Sequence, residues 1–470
     1  MPDVPPTIRA RDEAFWQRHE ARRDKQLGQP CCTQSGMSWA MIDMPGDFAV
    51  VIHGEFDCVN CFHHHLGRSA ANFYTTRLSE QQIITGQTQE PLRRCLRLIA
   101  AERRPEAVIV LGTCPVEVIG DRFETVVASV AAETGVPMIA LHTSGLSLSS
   151  QAAMLDWLYT ELASLPTAPA QNRAWQRDVA ALALDLLDDA SGEGAIDALR
   201  QRLDAQRTTT SLGRVNLVAT PTGEVAEPEP VRLLANVGLT VNGVYPNGAS
   251  VRDWRSIGHA SASVVVDPSM FPRFIKRLQG MGQAILPAPL PVGLGATRAF
   301  YDRIGRHFGI TDAMDAALAP IVAPLEDATA RLRERAQGRK AVVAIRMLNT
   351  FAADQLAYEG LGEVAFLEEL GLDVHVLVQG PPEQRSHDAF AARLAELGFT
   401  LPFRIFRGPF ELREILREGR YDLGILPDSA RGQARDAGLA MLAARSLPAW
   451  FRGVPAALDR LARQLDGRPA

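Results

Sequence analysis

Short apolar runs alternate with amphipathic stretches along most of the chain. "DFAVVIHG" and "AVIVLGTC" each hold a short apolar run of strand length. This is the pattern of parallel strands covered on both faces. Between them, "TQEPLRRCLRLIAAERRPE" spaces its apolar residues three and four apart, which predicts an amphipathic helix. "VPMIALHTSG" reads as a further buried strand, and "AAMLDWLYTELASL" as the helix that closes a first unit. A Pro/Ala-rich break, "PTAPAQ", and a helical stretch from Asn172 to Arg207 follow. The alternation resumes at "RVNLVATP" and runs through "EPVRLLANVGLTVNGVYP" and "SASVVVDP". A third series starts at "RKAVVAIR", after the charged helix "EDATARLRERAQG", and ends in the helix "VPAALDRLARQLDG". Strands alternating with helices imply parallel sheets with helices on both faces. The expected fold is α/β, with three Rossmann-like lobes built on parallel sheets. The lobes are placed at 1–165, 212–325 and 326–470, with a helical connection at 166–211.

Composition narrows the function classes. At 470 residues, 46% apolar and 22% charged, the chain can bury several cores. A net charge of −5 without any Lys/Arg stripe gives no reason to expect a nucleic-acid partner. The apolar runs are too short for a membrane span, and the charged N-terminus lacks the apolar core of a signal peptide. The expectation is a cytoplasmic protein with no membrane partner. A Walker A sequence and a nucleophile elbow are both absent. "GLGATR" at Gly293 is a partial dinucleotide fingerprint after a proline-rich strand exit, and is read as a turn before a helix.

The cysteines change the picture more. All six (Cys31, Cys32, Cys58, Cys61, Cys95 and Cys114) fall in the first quarter of the chain. Thiols used only as small core hydrophobes would be scattered, and a disulfide framework does not suit a large cytoplasmic chain. Clustering therefore points to metal or iron–sulfur ligation in the first lobe. Cys58 and Cys114 each follow a predicted parallel strand, where functional groups of open α/β sheets collect. Cys32, in "QPCCTQSG", can complete a set of three thiolates. That set suits an iron–sulfur cluster better than a closed zinc site, which usually shows paired spacing and a fourth ligand. Cys31 and Cys61 are additional metal-ligand or supporting candidates. Cys95 lies on the apolar stripe of its helix and is read as core. Two local alternatives use "CVNCFHHH": a zinc site with His63 to His65, or a thioredoxin-type dithiol acidified at a helix start.

With these motifs in order, the chain resembles the component 1 proteins of nitrogenase and their relatives. The motifs are "CTQSG" at Cys32, "HGEFDC" at Cys58 and "TCPVEVIGDRFE" at Cys114. "FYTTRLSEQQIITGQTQEPLRRCLRLI", "HTSGLS", "RLLANVGLTVNGVYPNGASVRDW" and "LPAPLPVGLGATRAFYDRI" extend the likeness over nearly the whole chain. The resemblance implies an α2β2 heterotetramer of α-type and β-type subunits, each giving three cysteines to a cluster at their interface. An ATP-dependent iron–sulfur reductase component docks there and delivers electrons. By that resemblance, Cys32, Cys58 and Cys114 are this chain's half of an 8Fe-7S P-cluster-like, or a 4Fe-4S, iron–sulfur cluster.

An α-type subunit holds the catalytic metallocluster with a second-lobe cysteine and a third-lobe histidine. Here "SASVVVDPSM" has no cysteine, and "DLGILPDSARGQARDAGLAMLAARSLPAWFRG" has no histidine. The resemblance is therefore to the β-type, electron-relay partner, with no catalytic residues of its own. The N-terminus is shorter than that of a dinitrogen-reducing β subunit, and the motif surroundings differ from those of the protochlorophyllide and chlorophyllide reductases. By exclusion, the expected enzyme is a methylthio-alkane reductase, which cleaves carbon–sulfur bonds in small organosulfur compounds. The alternatives are a cofactor-assembly scaffold and a tetrapyrrole reductase subunit.

Overall fold

The computed structural model describes residues 34, 37–38, 41, 44, 47–59, 72–144, 151–167, 213–220, 229–246, 249–266, 268, 271–346, 362–379, 384–396, 402–427, 430–443 and 447–466. Cys31, Cys32, Cys61, His63 to His65 and the stretch 172–207 lie outside the described residues.

Three parallel sheets carry the chain, as the alternation of strands and helices implies. The first holds β1 (Phe48–His53), β2 (Phe73–Thr75), β3 (Ala107–Gly112) and β4 (Met138–His142), in the order β2-β1-β3-β4. Every residue of β1 and β3 is buried, which is why both read as unbroken apolar runs. Their register pairs Phe48 with Ala107 and His53 with Gly112, so the two strands end level. The helices between the strands are α1 (Glu80–Ile84), α2 (Gln89–Glu102), α3 (Cys114–Val118) and α4 (Phe123–Thr134), and α5 (Gln151–Leu162) follows β4. Leu92, Leu96 and Ile99 of α2 meet Val126, Val127 and Val130 of α4 over the same face of the sheet. Full burial of each such side chain stabilises by about 1.5–3 kcal/mol. Cys95 packs against this cluster, as its place on the apolar stripe predicts.

The second sheet holds β5 (Gly213–Val218), β6 (Leu239–Tyr245), β7 (Ala262–Val266) and β8 (Ala284–Ala288), in the order β6-β5-β7-β8. Its helices are α6 (Glu229–Asn236), α7 (Val251–Ser256) and α8 (Pro272–Gly280). The first two sheets belong to one compact unit, 33–291 with 296–324. Within it the buried carboxylate of Asp156, on α5, accepts from the backbone N–H of Arg273 (3.0 Å) and Phe274 (2.8 Å). It supplies the N-terminal cap that α8 lacks locally, since Phe271 has no side-chain acceptor to offer. Beside it Tyr159 stacks on Trp254 with ring centroids 5.3 Å apart.

Two longer helices follow, α9 (Leu294–Phe308) and α10 (Thr311–Ala336). The other compact unit, 292–295 with 325–470, carries the third sheet in the order β11-β10-β9-β12-β13. Its strands are β9 (Lys340–Arg346), β10 (Asp373–Gln379), β11 (Phe403–Phe406), β12 (Leu423–Leu426) and β13 (Met441–Ala443). The partial glycine fingerprint lies here, and it is a packing turn. Gly293 has φ +84°, and a methyl group on it would come within 2.8 Å of Phe366 Cβ. The Gly295 N–H donates to the Glu369 carboxylate, with its oxygens 3.1 and 3.2 Å away. The position where a phosphate would meet this helix start is thus filled by the chain's own carboxylate.

Candidate metal centre at the first sheet

In the order β2-β1-β3-β4 the winding direction reverses between β1 and β3. In open α/β sheets the region outside the carboxyl ends of the strands at such a reversal is the usual ligand position. Cys58 and Cys114 come from the segments that leave these two strands. Cys58 sits in the helical turn 56–59 after β1, and Cys114 is the first residue of α3, immediately after β3 and Thr113. Both thiols are half-buried. Two of the three expected ligands therefore share one sheet edge, and Cys32 lies outside the described residues. Among the described residues, no group of three or more His, Cys, Asp or Glu is arranged to hold a metal ion by itself.

A dense polar network fixes this edge. The N–H and hydroxyl of Thr113 both donate to the His53 carbonyl, at 3.1 and 2.9 Å. The Gly54 N–H donates to Thr76 Oγ1 (3.0 Å), and the Gly54 carbonyl accepts from Leu78 N–H (2.9 Å). Gly54 has no room for a side chain, because a methyl group there would overlap Thr113 Oγ1. The start of the Cys58 segment and the residue before Cys114 are therefore packed directly against each other.

Below them the His53 side chain is wholly buried. Its Nδ1 is 3.2 Å from Thr76 Oγ1, and its Nε2 is 3.2 Å from Asp121 Oδ2. Asp121 also accepts from the Thr88 hydroxyl and from Gln89 Nε2 (3.1 Å). Thr88 precedes α2, yet it gives its side chain to Asp121 instead of capping that helix. Burial alone would raise the Asp121 carboxyl, but the hydrogen bonds from His53, Thr88 and Gln89 hold it below the usual carboxylate range. Asp121 is thus a buried anion.

His142, at the end of β4, lies 3.2 Å from Glu117 Oε1 and 3.6 Å from Glu124 Oε2. The contact with Glu117 is at ion-pair distance but does not satisfy that oxygen as a hydrogen bond. Burial pushes the Cys95 thiol up to about 11, which keeps it un-ionised in the core.

The same edge exposes apolar side chains on three successive segments. These are Phe56 after β1, Ile84 at the end of α1 (82% exposed), and Val118 with Ile119 at the end of α3 (70% and 39%). The Arg77 guanidinium stands 5.0 Å from the Phe56 ring centre. Exposed large apolar side chains on the segments that leave these strands are of the kind another chain covers.

The family model for nitrogenase component 1 type oxidoreductases matches residues 32–444. The chain belongs to this family. Its sequence is 30% identical over 105 residues to the nitrogenase iron-molybdenum cofactor biosynthesis protein NifE of Klebsiella pneumoniae, covering 21% of this chain and 23% of that protein. It is 25% identical over 226 residues to the light-independent protochlorophyllide reductase subunit N of Synechococcus sp., covering 47% and 45%. To a light-independent protochlorophyllide reductase subunit of Halorhodospira halophila it is 27% identical over 224 residues, covering 47% and 37%. The chain thus matches less than half the length of each of these relatives. In fold it is similar to the solved structure "Nitrogenase Cp1 at pH 5", with a TM-score of 0.63 at 15% identity, covering 92% of this chain and 88% of that one.

Family membership implies metal–sulfur clusters. Cys58 and Cys114 are of the donor type such a cluster takes: both are thiols, they leave adjacent strands at the reversal point, and they are partly withdrawn from water. The residues that sequence reasoning left without a role are His53, Thr76, Thr88 and Asp121. His53 and Asp121 stood inside the quoted motifs "HGEFDC" and "TCPVEVIGDRFE", but nothing in the sequence says that residues 68 positions apart meet.

Proposed function

We propose that this chain is the β-type electron-relay subunit of a nitrogenase-like reductase complex. In this reading Cys32, Cys58 and Cys114 hold half of an iron–sulfur cluster, 8Fe-7S or 4Fe-4S, shared with an α-type partner in an α2β2 assembly. The single observation that carries the reading is the emergence of Cys58 and Cys114 from β1 and β3 at the reversal point of the first sheet. The exposed Phe56, Ile84, Val118 and Ile119 support it, because a shared cluster needs a second chain over its open side. The cluster, when bound, supplies one-electron storage between an ATP-dependent reductase component and the catalytic metallocluster of the partner.

The chain's own residues supply the mounting. Gly54 and Thr113 lock the two thiol-bearing segments together. Asp121 and His53 tie the ends of β1 and α3 to the start of α2. Cys58→Ser and Cys114→Ala are expected to lose cluster iron and reductase-dependent electron uptake while tryptophan fluorescence stays native. Full iron content in either variant would contradict the ligation. The proposed substrates are small methylthio compounds, reduced at a carbon–sulfur bond.

The likeness to NifE favours a second reading, a scaffold on which a cofactor is assembled. The likeness to the protochlorophyllide reductase subunits favours a third, a tetrapyrrole reductase. Turnover assays of the purified complex with its reductase separate the three. Methane or other thioether cleavage products mark the first reading, transfer of a finished metallocluster without turnover marks the second, and chlorophyllide formation marks the third.

A further inference from the structure

The His53 network can accept one proton by turning a single hydroxyl. Asp121 receives three donors, from His53, Thr88 and Gln89, and none of its hydrogen bonds requires a proton of its own. With His53 neutral and its proton on Nε2, Nδ1 accepts from the Thr76 hydroxyl across 3.2 Å. Thr76 Oγ1 in turn accepts the Gly54 N–H. If a proton arrives on Nδ1, that nitrogen becomes a donor to Thr76 Oγ1. The Thr76 hydrogen then has a second acceptor in place, the Gly54 carbonyl at 3.4 Å. Thr76 is half-buried, so a proton can enter from its side although the imidazole is wholly buried.

The charge balance favours that arrival when negative charge is added nearby. With His53 neutral, the network carries the uncompensated Asp121 anion. The Phe123 ring stands 5.6 Å from the imidazole, and the His142 ring stands 4.7 Å from that of Phe123. The network is joined to both thiol segments, since the His53 carbonyl holds Thr113, the neighbour of Cys114, and His53 itself opens "HGEFDC".

We propose that His53 is the proton acceptor coupled to electron uptake at the thiol-held cluster, with Asp121 as its counter-charge and the Thr76 hydroxyl as its switch. The inference rests on the cluster reading above. One electron from a low-potential one-electron donor enters the cluster, and one proton from solvent binds His53 Nδ1. No covalent bond in the chain breaks.

The test is a dithionite redox titration of the anaerobically purified holoprotein, with its co-purifying chain, at several pH values. Iron and acid-labile sulfide are measured first on the same sample. Their absence would sink the cluster reading, and this inference with it. With the cluster present, the midpoint potential is expected to fall by about 59 mV for each tenfold drop in proton concentration over part of the range. His53→Asn should keep the iron and lose this slope. A flat potential in the wild type, or a preserved slope in His53→Asn, overturns the proposal. If His53→Asn does not hold the cluster, reduced-minus-oxidised infrared spectra of wild type carrying 15N-labelled histidine decide. A label-sensitive imidazolium band on reduction supports the proposal, and its absence overturns it.

Discussion

Gly54→Ala is the sharpest small perturbation of the edge that carries the thiols. The added methyl would overlap Thr113 Oγ1 and lie 2.9 Å from Thr113 Cβ and Cγ2, where carbon contacts normally sit at about 3.5–4.0 Å. Neither side can yield easily. Gly54 is held through its N–H by Thr76 and through its carbonyl by Leu78, and Thr113 is held by two bonds to the His53 carbonyl. Overpacking of this kind costs about 1–3 kcal/mol, and losing the Thr113 hydroxyl bond adds about 1 kcal/mol. The expected destabilisation is about 2–4 kcal/mol. Urea unfolding followed by tryptophan fluorescence, to which Trp157 and Trp254 of the same compact unit contribute, measures it. Thr113→Ala removes Oγ1 and Cγ2, so in that background the Gly54→Ala penalty should shrink by about 1–2 kcal/mol in a double-mutant cycle. A Gly54→Ala protein within 0.5 kcal/mol of wild type (a bound of about the size seen for ordinary surface changes), or a strictly additive cycle, would refute the packing argument.

Three other outcomes are expected. Cys95→Ala should retain full iron and sulfide. In wild type Cys95 should resist iodoacetamide at pH 8 (far below its value of about 11) in peptide mass mapping, and labelling at the rate of an accessible thiol would contradict its burial. Asp156→Ala should lose the caps on Arg273 and Phe274 and destabilise the unit by about 1–2 kcal/mol, read by urea unfolding. Because Asp121 is held below the usual range, its contribution to stability is complete above the ordinary value of about 3.9 and is lost as pH falls through its lower folded value. Asp121→Asn should therefore be less stable at neutral pH and show a weaker acid dependence below about pH 4, measured by unfolding at stepped pH.

The sequence made the central strands plain because burial on both faces leaves only apolar residues there, as in β1 and β3. Cys95 was legible as core for a related reason, since helical periodicity assigns it to the face that packs on the sheet. β2 was not legible as a strand. It is a three-residue, half-buried edge strand, too short to show a period. The candidate site was half legible. Strand exits marked Cys58 and Cys114, whereas the His53–Asp121 pair and the Asp156 cap join residues 68 and 117 positions apart through tertiary contact alone. The glycine fingerprint at Gly293 read correctly as a turn, but the reasons are long-range: Phe366 leaves no space there, and Glu369 already occupies the helix start.

In the proposed function Cys58 and Cys114 mount a cluster shared with a second chain. The most direct measurement is iron and acid-labile sulfide on anaerobically purified protein, isolated with whatever chain accompanies it. Iron and sulfide in near-equal amounts, a co-purifying α-type chain, and loss of both elements in Cys58→Ser and Cys114→Ala are expected. Zinc without sulfide, or a stable lone chain with no metal, would contradict the proposed function.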